Sequence, residues 1–174
     1  MKIYNIGIIG CGSIAAKMAA TLGGMKGVKR YAVASRTVEK AKAFAEKWQF
    51  AKAYGSYEEL ASDAEVDLIY IATPHAMHYD NARLCIEKGK PVLCEKAFTA
   101  NARQAADLLN LAEEKKVFLT EAIWTRYMPL SLKIRELLEE GIEPKRVKKW
   151  SNTVILRVLR NEKYVGDLCQ KKTI

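Results

Sequence analysis

The sequence lacks the long apolar runs, paired cysteines and secretory leader that define several common protein classes. No window approaches about eighteen uninterrupted apolar residues, so we expect no membrane-spanning helix. The segment from Met1 to Gly10 has no small-residue cleavage site and predicts a buried strand rather than a signal peptide. The four cysteines form no Cys-x-x-Cys pair, which favours reduced thiols and a cytoplasmic location. The composition, 49% hydrophobic and 28% charged over 174 residues, is that of one globular domain.

The formal net charge of +9 is unevenly distributed along the chain. Residues 1–141 hold 20 Lys and Arg against 17 Asp and Glu, whereas residues 142–174 hold 9 against 3. The nearly balanced body is typical of an enzyme domain, so we expect no nucleic-acid partner. Binding of nucleic acid by the basic tail remains a minor alternative. Within that tail, Thr153–Leu159 has strand-like character.

Short apolar runs alternate with helical patterns from Lys2 to Glu140. The predicted strands are Ile3–Ile9, Arg30–Ala34, Asp67–Ala72, Pro91–Cys94 and Val117–Thr120. The predicted helices are Ser13–Met25, Thr37–Trp48, Ser56–Ser62, Met77–Lys88, Asn101–Lys115 and Leu130–Glu140. Thr37 and Ser56 are the expected N-caps of the second and third helices. Strands that are apolar on both faces and alternate with helices predict an α/β fold with a Rossmann-type doubly wound parallel sheet. Ligands of such sheets bind beyond the carboxyl ends of the strands.

A Gly-x-Gly-x-x-Ala turn follows the first predicted strand and opens the first helix. Gly10 permits a tight turn, Gly12 lets the backbone approach a pyrophosphate, and the small Ala15 lets the helix pack closely on the strand. Ser13 and Ile14 lie in the first helical turn, where amides and the helix dipole attract phosphates. The motif therefore predicts dinucleotide binding, with a purely structural glycine turn as the alternative.

The end of the second predicted strand indicates which dinucleotide binds. NAD-binding folds usually place an Asp or Glu there, whereas this chain has Ser35 and Arg36, with Lys40 one helical turn later. A guanidinium and a hydroxyl suit a 2′-phosphate, so the sequence favours NADP over NAD. The alternative is that Arg36 is an ordinary solvated residue.

Four motifs in this order resemble those of the Gfo/Idh/MocA oxidoreductases: Gly10–Ala15, Ala72–His78, Cys94–Ala97 and Glu121–Tyr127. The last motif is similar to the segment typical of dimeric dihydrodiol dehydrogenases and D-xylose dehydrogenases. The resemblance covers residues 1–141 and implies NADP-dependent hydride transfer at a CH–OH group of a sugar or cyclic diol. A non-catalytic dinucleotide-binding module is the alternative.

The resemblance implies a catalytic role for Lys96, which matches the lysine of the family's Glu-Lys-Pro motif. A partly desolvated lysine beside Glu95 could hydrogen-bond a substrate oxygen and help to move its proton during hydride transfer. Glu95 is expected to lie at the cofactor as well. Ala97 stands where the family has proline, which removes a rigid φ after the lysine.

The resemblance also implies a nicotinamide-ribose site after the strand Asp67–Ala72, formed by Thr73, Pro74 and His75. His78, which begins the next helix, is also expected to bind the cofactor. The family more often has asparagine at the position of His75. Metal ligation by His75 and His78 is an alternative, but no cysteine or carboxylate stands at ligand spacing, and we expect no metal.

Trp124, Arg126 and Tyr127 follow the last predicted strand and resemble the group that contacts cofactor and substrate in the family. We assign Trp124 and Arg126 to cofactor binding. Packing at a domain or subunit interface is an equally weighted alternative.

Family members carry a second domain, a large mixed sheet, which we expect to be largely absent from this chain. We divide the chain into a Rossmann domain, residues 1–141, and a basic tail, residues 142–174. The tail is either a truncated start of the substrate domain or the translation of a shifted reading frame. A cofactor-binding half alone would leave apolar surface uncovered, so we expect a homo-oligomer. The expected partner is a small sugar or diol substrate, without a membrane.

Overall fold

The computed structural model describes residues 2–140 and has a six-stranded parallel sheet at its centre. The strands are β1 (Tyr4–Ile9), β2 (Val28–Ala34), β3 (Lys52–Tyr54), β4 (Leu68–Ile71), β5 (Val92–Cys94) and β6 (Leu119–Glu121). Their order is β3-β2-β1-β4-β5-β6, and every neighbouring pair is parallel. This is the strand order of the doubly wound dinucleotide-binding fold, so the predicted fold class is confirmed.

Six α-helices connect or follow these strands. They are α1 (Ser13–Gly24), α2 (Val38–Trp48), α3 (Tyr57–Ser62), α4 (His78–Glu87), α5 (Ala102–Lys115) and α6 (Pro129–Glu139). Short 3-10 helices cover His75–Met77 and Trp124–Tyr127. Among the described residues, no helix is long and apolar enough to cross a membrane.

Two apolar layers cover the sheet, one on each face. On one face, side chains of α1 and α2 pack against alternate strand residues that include Ile8, Val33 and Tyr70. On the other face, side chains of α3, α4 and α5 pack against the intervening residues, among them Ile9 and Ile71. The strands are apolar on both faces because both are buried under helices.

The register brings four strand ends to one level. Ile9 pairs with Ala34 on one side and with Ile71 on the other, and Ile71 pairs in turn with Cys94. The segments that follow β1, β2, β4 and β5 therefore emerge side by side at the carboxyl edge. Apart from Trp124 and Arg126, which follow β6, the residues predicted to bind the dinucleotide lie on these segments.

Apart from shifts of one or two residues at element ends and the two short 3-10 helices, the structure differs from the sequence-based assignment at two local points. Strand β3 was not predicted, because its three residues form no continuous apolar run and none of them is fully buried. Thr37 stands at the N-cap position of α2, but its side chain makes no capping hydrogen bond. By contrast, the predicted cap of α3 is confirmed, since the hydroxyl of Ser56 accepts from the amide of Glu59 at 3.2 Å.

The chain divides into two compact units, with the division after Ala122. The second unit begins at Ile123 and includes α6, which starts with Pro129 at a first-turn position that needs no amide donor. The boundary predicted between residues 141 and 142 stays a prediction. The basic tail, with its strand-like Thr153–Leu159, lies outside the residues that the structure describes.

Candidate dinucleotide site

The loop after β1 is built around Gly10, whose φ is +104°. A Cβ on Gly10 would lie 2.7 Å from the carbonyl oxygen of Ala72 and 3.3 Å from the amide nitrogen of Thr73. The Gly10 amide donates to the carbonyl of Ala34 at 2.9 Å. Glycine is therefore required twice here, for its backbone angle and for the close approach of the loop to the end of β4.

The neighbouring Gly12 has the opposite surroundings. It is exposed and caps α1, and a Cβ added to it would meet nothing within 4 Å. No side chain caps the helix, and no acidic residue lies in its first turn. Ser13 and Ile14 are exposed, whereas Ala15 is fully buried against the sheet. Open space beside Gly12, with uncapped amides and a positive dipole end, fits a diphosphate.

The residues after β2 form the second part of the site. Ser35 is buried, and the thiol of Cys11 in the glycine loop donates to the carbonyl of the preceding residue, Ala34, at 3.9 Å. Burial raises the pKa of the Cys11 thiol, while Ser35 and the positive charge of Lys40 oppose that rise. Arg36 and Lys40 are both exposed. The structure thus brings Cys11, Ser35 and the charge of Lys40 together, while cofactor binding by Ser35, Arg36 and Lys40 stays a prediction.

Tyr57 is a member of this region that sequence analysis missed. Burial raises the pKa of its hydroxyl, the guanidinium of Arg36 lowers it, and Cys11 raises it further. Arg36 and Cys11 therefore both act electrostatically on a half-buried tyrosine at the start of α3. Tyr57 lies three residues beyond β3, at the carboxyl edge of the sheet, and sequence analysis missed it because β3 itself gives no apolar run.

The segment after β4 supplies Thr73, Pro74 and His75. Thr73 is buried, and its Oγ1 accepts a hydrogen bond from Nδ2 of Asn81 at 3.0 Å. Pro74 and His75 are exposed, beside the close contact between Gly10 and the end of β4. Pro74 and His75 are thus placed where a ligand can reach them, while the side chain of Thr73 faces inward.

His78 does not fit the role expected for it. Its side chain is 0% exposed, with Nδ1 at 2.8 Å from the carbonyl oxygen of Ala97 and Nε2 at 2.9 Å from that of Thr73. Both ring nitrogens are occupied by the protein, so His78 is not available to contact a cofactor or a metal. It is buried because it opens α4, which packs directly on the sheet. Among the described residues, no group of three His, Cys, Asp or Glu could hold a metal ion.

The segment after β5 carries Glu95 and Lys96. Glu95 is half-buried; its Oε1 accepts from the hydroxyl of Tyr70, and its Oε2 accepts from the amide of Lys96 at 3.1 Å. Lys96 is exposed, rather than partly desolvated as expected. The Lys96–Ala97 peptide bond is cis.

Trp124 and Arg126 lie in the second unit, on the 3-10 helix Trp124–Tyr127. Trp124 is 61% exposed, and Arg126 is exposed with its amide bonded to the carbonyl of Ile123 at 2.9 Å. Contact of Trp124 and Arg126 with the cofactor stays a prediction.

Comparisons with known proteins agree with this geometry over the first unit. A family model described as "Oxidoreductase family, NAD-binding Rossmann fold" (GFO_IDH_MocA) matches residues 4–123. A second family model, described as "Recombinase", matches residues 132–174, a stretch that contains the whole basic tail.

Curated relatives include D-xylose 1-dehydrogenase (NADP(+)) of Hypocrea jecorina, 59% identical over 91 residues, which are 52% of this chain and 23% of that protein. Trans-1,2-dihydrobenzene-1,2-diol dehydrogenase of Mus musculus is 42% identical over 137 residues, 78% of this chain and 41% of that protein. The chain therefore spans less than half the length of these relatives.

Among solved structures, the chain is similar to KijD10, a 3-ketoreductase from Actinomadura kijaniata, in a complex with TDP-benzene and NADP. The TM-score is 0.72 at 28% sequence identity, over 82% of this chain and 45% of that chain. The likeness thus extends from the sequence motifs to the backbone of the described sheet.

Proposed function

The chain belongs to the Gfo/Idh/MocA oxidoreductase family, and we propose that it binds NADP and takes part in hydride transfer at a CH–OH group of a sugar or cyclic diol. The observation that carries this proposal is the convergence of three motifs at one sheet edge. The glycine loop abuts Thr73, and the paired ends of β4 and β5 place Glu95 and Lys96 beside it. In a doubly wound sheet this edge is where dinucleotides bind.

Charge supports NADP over NAD as the ligand. Arg36 and Lys40 supply two positive charges beyond β2, and residues 35–38, which follow that strand directly, include no Asp or Glu. A 2′-phosphate would be attracted to Arg36, whereas the two hydroxyls of an unphosphorylated ribose would find no acidic acceptor there. The relative from Hypocrea jecorina is named for NADP(+), and the KijD10 complex contains NADP.

The residues at this edge of the sheet have distinct roles in the proposed binding of NADP. Gly10 turns the chain, Gly12 leaves room for the diphosphate, and the amides of Ser13, Ile14 and Ala15 point toward it. Pro74 and His75 border the nicotinamide end. We place Trp124 and Arg126 at the same cofactor as a separate prediction.

Bound NADP would accept or supply the hydride at its nicotinamide ring. Lys96 would hold the substrate oxygen by a charge-assisted hydrogen bond and pass a proton to or from it as the C–H bond changes. Glu95 accepts from the amide of Lys96 and holds the turn that presents the ammonium group. The chain's own part in the chemistry is therefore to place a proton donor above β5.

The substrate class follows from the relatives' names. The relative from Hypocrea jecorina is named for D-xylose, and the relative from Mus musculus is named for a dihydrobenzenediol. Both compounds carry two hydroxyl groups on neighbouring carbon atoms. A vicinal hydroxyl pair offers one oxygen to Lys96 and leaves a second for orientation. We propose this diol unit as the common element of the substrate.

The first test is a titration of the chain with NADPH, in which binding is monitored by tryptophan fluorescence. The second is a screen in which aldoses and cyclic diols are mixed with the chain and NADP, and NADPH formation is measured. Binding with turnover supports the enzyme, and Lys96→Met should then bind NADPH normally while losing turnover. Binding without turnover on any substrate supports the alternative, a dinucleotide-binding module. Absence of binding to folded protein would remove both.

We propose a second function for residues 132–174, namely binding of duplex DNA. Two observations favour it: this stretch matches a recombinase family, and residues 142–174 hold 9 Lys and Arg against 3 Asp and Glu. Basic segments bind the DNA backbone by neutralising phosphates and releasing counterions. The proposal departs from the expectation, drawn from the balanced body, that the chain has no nucleic-acid partner.

Polarisation of a fluorescent duplex tests this function. Binding should weaken steeply with salt and be lost when Lys145, Arg146, Lys148 and Lys149 are changed to Gln. Four matched Lys→Gln changes in the first unit, at Lys17, Lys26, Lys42 and Lys47, should leave it intact. Equal losses in the two variants would contradict a role for the tail.

Location and assembly remain proposals. The described cysteines Cys11, Cys85 and Cys94 are free thiols, which supports a reducing, cytoplasmic environment. Self-association is proposed because large apolar side chains such as Phe118 and Leu109 are more than half exposed.

A further inference from the structure

The turn that carries Lys96 is held by two side chains that reach it from opposite faces of the sheet. Tyr70 lies on β4 among the residues packed under α1 and α2, and its hydroxyl donates to Oε1 of Glu95. His78 lies on α4, which packs on the other face, and contacts the carbonyl of Ala97 at 2.8 Å. Tyr70 and His78 thus grip the residues immediately before and after Lys96.

The side chains of Tyr70 and His78 are themselves held in place by burial. Tyr70 is 2% exposed and His78 is 0% exposed. The second ring nitrogen of His78 contacts the carbonyl of Thr73 at 2.9 Å, which ties the turn after β5 to the segment after β4. Because closely packed buried side chains move little, Tyr70 and His78 fix the turn relative to the sheet.

Lys96 itself differs from its two neighbours. Its side chain is exposed, and among the described residues its ammonium makes no hydrogen bond or ion pair. Its backbone is fixed by the amide hydrogen bond to Oε2 of Glu95 at 3.1 Å. The arrangement is a rigid base with an unengaged ammonium, which suits a group that must meet an incoming substrate oxygen.

We propose that Tyr70 and His78 are positioning residues for Lys96, acting through Glu95 and Ala97. The role at the cofactor rests on the proposed function, but the clamp itself does not. Tyr70 fixes Glu95 by a partly buried hydrogen bond to its carboxylate, and burial together with Glu95 raises the pKa of the Tyr70 hydroxyl, which keeps it a donor. Charge-assisted bonds of this kind are among the strongest that a protein forms.

Amide hydrogen exchange of the full chain without cofactor tests the clamp directly. Tyr70→Phe should accelerate exchange at the Lys96 amide by about tenfold while amides of β1 keep their protection. The matched control is Tyr79→Phe, whose hydroxyl donates to a carboxylate oxygen of Asp107 at 2.6 Å on another part of the surface. Unchanged exchange at Lys96 in Tyr70→Phe, or equal acceleration in both variants, would overturn the proposal.

Two variants of His78 distinguish positioning of the Lys96 turn from a general contribution to the stability of the fold. In His78→Asn the amide can replace Nδ1 and still donate to Ala97, whereas in His78→Gln it reaches the place of Nε2 near Thr73. Exchange at the turn should therefore stay closer to normal in His78→Asn than in His78→Gln. The reverse order would contradict the clamp, and thermal unfolding of both variants checks that each is folded.

Lysine acetylation tests separately whether the positioning of Lys96 by Tyr70 matters at the bound cofactor. In the chain without substitutions, bound NADP should protect the Lys96 amine from acetylation by an N-hydroxysuccinimide ester. In Tyr70→Phe the protection of Lys96 by NADP should fall several-fold. The affinity of this variant for NADP should change by less than about threefold. If NADP fails to bind the unmodified chain, the proposed function falls, while the exchange experiment still decides the clamp. Full protection of Lys96 in Tyr70→Phe would count against positioning.

Discussion

Gly10 faces the carbonyl oxygen of Ala72 so closely that a Cβ on the glycine would lie 2.7 Å from it. The obstacle is backbone, which cannot rotate away, and the φ of +104° adds strain for any other residue. The contact joins the loop after β1 to the end of β4. It therefore sets the shape of the site as well as the packing of the sheet.

Replacing Gly10 should destabilise the whole domain. For Gly10→Ala we expect the free energy of unfolding to fall by about 2–4 kcal/mol, because a backbone clash and an unfavourable φ act together. Urea denaturation measures the change. Gly24→Ala is the matched control, since a Cβ there meets nothing within 4 Å, and it should shift stability by less than about 1 kcal/mol.

Replacing Gly12 should separate binding from folding. A methyl group at Gly12 meets no protein atom within 4 Å, so Gly12→Ala should unfold at nearly the same urea concentration as the unmodified chain. The same methyl would occupy the space of the diphosphate, and NADP affinity should fall at least about tenfold. Fluorescence titration measures the affinity. Normal NADP affinity in Gly12→Ala would place the diphosphate elsewhere.

Replacing Arg36 should alter the choice of cofactor. Arg36→Asp should weaken NADP binding by about 1–3 kcal/mol, because a charge-assisted pair with the 2′-phosphate becomes a repulsion, and NAD should bind as well or better. The comparison of NADP with NAD is the internal control, and Arg103→Asp on the exposed side of α5 controls for net charge. An equal loss for both dinucleotides would argue against a 2′-phosphate at Arg36.

Asp63 should make stability depend on acid pH. Burial alone would raise the pKa of Asp63, but hydrogen bonds from Tyr54, Lys52 and the amide of Glu65 hold it at about 2, below its ordinary 3.8. Since the folded-state pKa is the lower one, this stabilisation is complete above about pH 4 and is lost as the pH falls towards 2.

Asp63→Asn measures this contribution. At pH 7 it should lower the free energy of unfolding by about 1–2 kcal/mol, and the difference from the unmodified chain should shrink between pH 4 and pH 2. Urea denaturation at several pH values gives both quantities, with the exposed Glu113→Gln as control. A difference that stays constant down to pH 2 would show that the ionised Asp63 carboxylate is not its source.

The sheet and the glycine loop could be predicted from sequence because their signals are local. Each longer strand is an apolar run, and the loop motif stands directly between a strand and a helix. Strand β3 escaped because Lys52, Ala53 and Tyr54 carry no such run, and pairing with β2 is what makes them a strand.

The residues missed at the site depend on register and packing rather than on local pattern. Tyr70 lies beside Leu93 in the neighbouring strand, and that pairing brings its hydroxyl to Glu95, 25 positions away in sequence. The burial of His78 arises from the packing of α4 on the sheet, which no spacing of histidines reveals. Sequence therefore indicated the residues at the strand ends, and the three-dimensional pairing was needed to show which of them are exposed and which are buried.

Isothermal titration calorimetry with NADP and with NAD tests most directly whether the loop at Gly10 and Gly12, together with Arg36, holds a 2′-phosphorylated dinucleotide. Folded chain should release heat with both, with a Kd for NADP at least about tenfold below that for NAD. No heat with NADP, or equal affinity for the two, would contradict that assignment.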